Sequence, residues 1–137
     1  MSPIKSNQSF VRVVFTTFLI LLINAGFTPV PDEISIEIDV APNVLNLANQ
    51  GEVVTVHTDI AYSAVEGASV TLNDIPIDWW KSDSRGYFVA KFEIDAVKGI
   101  VTTGTCTLEL RGTNFEGELF SGSQLIKVIN VIPAGKK

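Results

Sequence analysis

From Ile34 onward the chain alternates between apolar and polar residues, and that pattern decides what it can become. Ile34-Ser35-Ile36-Glu37-Ile38-Asp39-Val40 places an apolar residue at every second position. Successive side chains of an extended chain point to opposite faces, so such a run has one greasy and one wet face. Within residues 52–60, Val54, Val56 and Ile60 share a face with Thr58. Phe88, Ala90, Phe92 and Ile94 alternate with Tyr87, Val89, Lys91 and Glu93, and Cys106, Leu108 and Leu110 alternate with Thr107, Glu109 and Arg111. Shorter runs cover residues 44–47, 68–73 and 124–132, the last including Ile126 and Val128. Turn-forming residues separate them: Ala41-Pro42-Asn43, Asn49-Gln50-Gly51, Glu66-Gly67 and the polar stretch 82–86. Residues 95–99 offer at most one helical turn. About seven short strands at this spacing predict an all-β domain of two antiparallel sheets over residues 34–132. A parallel sheet fits less well, because its strands are apolar on both faces.

The N-terminal region reads differently. Lys5 and Arg12 precede Val13-Val14-Phe15-Thr16-Thr17-Phe18-Leu19-Ile20-Leu21-Leu22-Ile23, an uncharged stretch followed by Asn24-Ala25-Gly26. A basic start, a short apolar core and small residues match a secretory signal peptide, with cleavage after Ala25 or Gly26. The competing reading is an uncleaved membrane anchor over residues 10–27, whose apolar positions include Val13, Phe15, Phe18, Leu19 and Leu22. Eighteen residues make about 27 Å of helix, just enough for a hydrocarbon core of roughly 30 Å. Both readings leave the N-terminus inside and export the rest, because the cations precede the apolar run. Thr28-Pro29-Val30-Pro31-Asp32 then stops any helix, so residues 28–33 are expected to be a linker. Residues 133–137, ending in Lys136-Lys137, form a short basic tail, smaller than a polybasic membrane signal.

Charge narrows the partners. With Lys5 and Arg12 set aside, 8 of the 10 cations remain against all 15 acidic residues, a balance of −7. Binding to nucleic acid through clustered Lys and Arg is not expected of such a surface. The single cysteine, Cys106, excludes an internal disulfide and a Cys-rich metal site.

Several stretches together resemble an immunoglobulin-like β-sandwich repeat of bacterial and archaeal secreted and cell-surface proteins. They are residues 38–47 with Gly51, 68–73, 89–92, 107–117, Gly122-Ser123 and 126–129. The resemblance implies a structural or binding role without catalytic residues. Many members carry an Asp-x-Asp-x-Asp-Gly calcium loop before the strand that aligns with residues 87–92. Here only Asp83 and Gly86 correspond, and Lys81 and Arg85 bring positive charge. Calcium needs six to eight oxygens, so no calcium, and no other cofactor, is expected.

The remaining chemistry-bearing residues have plain structural readings. His57 lies mid-strand opposite the Val54 and Val56 face, and no Gly-x-Ser-x-Gly elbow accompanies it. One His and one Cys cannot make a zinc site. Cys106 is in phase with Leu108 and Leu110, as a small core hydrophobe; an intermolecular disulfide is the alternative that export would permit. The pairs Glu116/Glu118 and Asp74/Asp78 read as charged turns rather than glycosidase carboxylates, and Phe115 and Phe120 as caps on the core. Trp79-Trp80 stands out: neighbouring residues point to opposite sides, so one ring packs inward and the other is exposed near Tyr87. Trp79, Trp80 and Tyr87 are the candidate interaction surface, with a lid over the core as the other reading. The expected function is a non-catalytic exported module that contacts a protein partner. The alternatives are a single-pass accessory subunit of a membrane complex and, more remotely, a small hydrolase.

Overall fold

Strands form where the alternation is unbroken. The computed structural model describes residues 33–50 and 53–132. The expected N-terminal apolar helix, nearly all of the linker and the basic tail lie outside those residues. Among the described residues no helix is long and apolar enough to cross a membrane.

The strands are β1 (Ile34–Ser35), β2 (Ile38–Ala41), β3 (Val44–Asn46), β4 (Val53–Ala61), β5 (Thr71–Leu72), β6 (Ile75–Pro76), β7 (Trp79–Ser82), β8 (Tyr87–Glu93), β9 (Gly104–Thr113) and β10 (Leu119–Ile129). A single turn of helix, α1 (Ile94–Lys98), follows β8 and buries Ile94 and Val97. One sheet runs β1-β10-β9-β5-β6, with β3 also on β10, and the other runs β2-β4-β8-β7. Pairing is antiparallel except where β1 and β3 lie parallel to β10. Each sheet contributes its apolar face to one buried cluster. Val56, Phe88 and Phe92 come from the four-stranded sheet and Leu108, Leu110 and Phe120 from the other. The expectation of an all-β chain of two sheets holds.

The expected single strand over residues 34–40 is divided between the sheets. Ile36 N–H donates to Ser121 C=O at 2.9 Å, and the chain then leaves β10 to become β2. This crossing needs Gly122, because a β-carbon there would sit 2.6 Å from the Ile36 carbonyl oxygen. Past the crossing, Val40 N–H donates to the Gln124 side-chain oxygen at 2.7 Å. The inward-facing glutamine of one sheet thus satisfies an edge donor of the other. Residues 68–73 also differ from expectation: a 3-10 turn (Gly67–Ser69) precedes the two-residue β5. Asn73 and Asp74 have φ of 44° and 69°, the left-handed pair that a two-residue hairpin requires.

β2 ends the four-stranded sheet, whereas β10 lies inside the other. β10 starts earlier than the alternation suggests, at Leu119, with β9 along one side and β1 and β3 on the two ends of the other. At β2, Gln124 takes the outward N–H of Val40.

The crossing yields a prediction for unfolding experiments. Gly122→Ala is expected to lose about 1–3 kcal/mol through overpacking against backbone. Gln124→Leu is expected to lose a similar amount, about 1–3 kcal/mol, by leaving a buried donor unpaired. Urea midpoints equal to wild type for both would show that the crossing does not constrain the fold.

Candidate interaction surface

β7 is an edge strand, and all four of its residues are exposed. The strand pairs Trp79 with Lys91, Trp80 with Ala90, Lys81 with Val89 and Ser82 with Phe88. Ala90 and Phe88 face the core, so Trp80 and Ser82 lie on the inner side and Trp79 and Lys81 on the outer. The two tryptophans therefore point to opposite sides, as adjacent strand residues must. Both remain accessible, Trp79 at 45% and Trp80 at 37%.

Trp80 rests on Gly67, where the indole occupies the space that a β-carbon would take. It leans over the buried Gly67 yet stays exposed, so the expectation that one of the two indoles packs inward is not met. Trp79 lies on the outer face, with Lys91 Nζ 5.4 Å from its ring centroid. Lys91 Nζ also donates to Thr55 Oγ1 at 3.1 Å, which fixes the ammonium beside the ring. Tyr87 sits on the same face, and the Arg85 guanidinium carbon lies 5.3 Å from its ring centroid. Each outer aromatic is thus paired with a cation, the arrangement in which the ring quadrupole attracts positive charge. Between them Val89 is fully buried although it points away from the core, hemmed in by His57 of β4 and Lys81 of β7.

The turn after β7 is organised by Asp83. Its Oδ1 accepts the N–H of Arg85 at 2.8 Å and of Tyr87 at 3.0 Å. Asp83 N–H in turn donates to Tyr87 C=O at 2.9 Å, and Gly86 closes the turn with φ of 87°. The Tyr87 N–H does most to hold the Asp83 carboxyl below its usual range; desolvation opposes it, and the Arg85 N–H and the charges of Arg85 and His57 add smaller lowering effects. The carboxylate oxygen that would serve a calcium loop is engaged with the turn's own backbone.

The other candidate residues are dispersed. His57 is exposed on the outer face of β4. It lines an open cleft of about 360 Å³ with Glu37, Asp39, Asp59 and Arg85, and Asp59 Oδ1 there accepts the Glu37 N–H at 2.9 Å. A second cleft of about 350 Å³ includes Glu33, Asp74 and Arg111, with Arg111 3.8 Å from Glu33. No serine, threonine or cysteine among the described residues is hydrogen-bonded to His57. No group of three His, Cys, Asp or Glu among them is placed to hold a metal. Cys106 is half-buried against the core and opposite Ile126. Asn114 ties Glu116 and Glu118 into their turn by accepting both N–H groups. Of the two expected capping rings, Phe120 is buried, whereas Phe115 is 71% exposed at the hairpin tip.

Sequence reasoning named Gly67 only as a turn residue and missed its contact with Trp80, along with the role of Lys91. The phase of residues 87–91 already put Tyr87 and Lys91 on one face, but the strand that brings Trp79 beside them had no alternation long enough to register. No protein-family model matches the chain, and neither a search of curated proteins nor one of solved structures found a match.

A carboxyl whose folded pKa is lowered contributes stability above its unfolded pKa and loses it as pH falls through the folded value. Asp83→Ala is therefore expected to destabilise the domain near neutral pH, with the difference from wild type shrinking as pH drops below about 4, the usual Asp range. Unfolding curves across that interval check it, and a pH-independent difference would refute the role given to the ionised group.

Proposed function

We propose that this chain is an exported, non-catalytic interaction module: an immunoglobulin-like β-sandwich that docks a protein along β7. The observation that carries the reading is the pair of accessible tryptophans on an open edge strand. Edge strands offer unpaired backbone donors and acceptors, which partner strands can adopt. Exposed tryptophans beside them supply the large apolar contact area typical of interface centres. The strand orders β2-β4-β8-β7 and β10-β9-β5 correspond to the A-B-E-D and G-F-C orders of immunoglobulin domains, which supports the resemblance in the sequence. Export rests on the basic, apolar and small-residue series before residue 27. A retained anchor and a cleaved leader both deliver the domain to the same side. The two clefts are open, and neither brings a nucleophile to a base, which favours contact over bond-making.

The test is photo-crosslinking of the full chain in cells. A photoreactive residue at Trp79 is expected to capture protein, and the same residue at Leu125, 65% exposed on the other sheet, is expected not to. Capture of lipid or glycan alone at Trp79, or equal protein capture at both positions, would defeat the reading.

A further inference from the structure

We propose that the strand docked on β7 is the β7 of a second copy of this chain, the two pairing antiparallel about a two-fold axis at Trp80. The proposal rests on the interaction-module reading and names its partner. It begins with the backbone. Hydrogen-bonded and non-bonded pairs alternate along an antiparallel ladder, and Asp83 is bonded to Tyr87. Counting back, the peptide groups of Lys81 and Trp79 turn toward β8, and those of Trp80 and Ser82 turn toward the open side. No turn or loop hydrogen bond among the described residues reaches the peptide groups of Trp80 or Ser82.

A two-fold axis perpendicular to the sheet keeps inner faces with inner faces. Centred on Trp80, it sets Trp80 against Trp80 of the second copy, each exchanging its open N–H and C=O with the other. On the outer face the same register sets Trp79 against Lys81 of the second copy, and Lys81 against its Trp79. Lys91 already lies beside each Trp79 ring, so the incoming ammonium completes a cation-aromatic cluster. On the inner face the two Trp80 rings form a cross-strand aromatic pair, a favourable combination in sheets.

Other registers lose these matches. A one-residue slip sets inner against outer side chains. Centring on Lys81 opposes two ammonium groups and presents peptide groups that are already bonded to β8. Centring on Ser82 overlaps one strand residue before each chain meets the other's Asp83 turn. The competing edges are also less open: β6 is two residues long and contains Pro76, which lacks a donor, and on β2 Gln124 occupies the outward N–H of Val40. The contact is short against the roughly 1,600 Å² of a standard interface, so the pairing is a weak one, strengthened wherever the chains are concentrated.

Disulfide trapping of the full chain, in a Cys106→Ser background under mild oxidation, tests the register. At Trp80→Cys the two Cα atoms would be about 5.5 Å apart, within disulfide reach. At Ser82→Cys they would be more than about 13 Å apart. Trp80→Cys is expected to form covalent dimer at least about tenfold faster than Ser82→Cys, since only its geometry suits the bond. If Trp80→Cys does not fold, mixed Trp79→Cys and Lys81→Cys chains serve instead; the mixture is expected to cross-link and neither chain alone to do so comparably. Equal rates at positions 80 and 82, or no cross-link from either pair, would overturn self-pairing. Protein capture at Trp79 without self-cross-linking would leave the module reading standing with a different partner.

Discussion

The passage of the chain across β10 at Gly122 is the constraint from which the rest of the architecture follows. A chain that stayed beside β10 would leave the four-stranded sheet without its first strand and expose the β4 edge. By crossing where no side chain obstructs it, the same short segment closes the side of both sheets. Gln124 makes the join chemically complete, because the donor turned away from β4 is bonded inside the neighbouring sheet. With Val40 so engaged on β2, the opposite edge of the four-stranded sheet, β7, is the one whose residues are all exposed.

Much of the fold was legible in the chain because burial imposes a period of two. Residues 87–93 and 104–113 show one wet and one apolar face, and both became long strands. The alternation says which face a side chain occupies but not which sheet the strand joins, so the division of residues 34–40 was invisible. The early start of β10 was obscured by Ser121-Gly122-Ser123, which reads as a break and is a strand. Glycine is there for the crossing, a reason that lies 86 residues away at Ile36. The Trp79-Trp80 pair was recognisable as unusual, yet its cationic companions follow from β7 lying next to β8.

The local chemistry of the β7 to β8 hairpin is consistent across levels. Asp83 sets the turn, the turn sets the register, and the register places Lys91 beside Trp79 and Arg85 beside Tyr87. In a domain with a strong acidic excess, three cations, Lys81, Arg85 and Lys91, gather around these two strands. Two of them, Arg85 and Lys91, lie against the rings of Tyr87 and Trp79 on the solvent face.

The parallel placement of β1 and β3 has a mechanical meaning. β1 meets β10 at Phe120 and β3 meets it near Ile129, so the polypeptide enters at one pole and departs from the other, about 30 Å away at 3.3 Å per residue. Tension applied to the two ends would pull β1 and β10 past each other in opposite directions. The hydrogen bonds between β1 and β10 would then be sheared together rather than peeled apart in sequence.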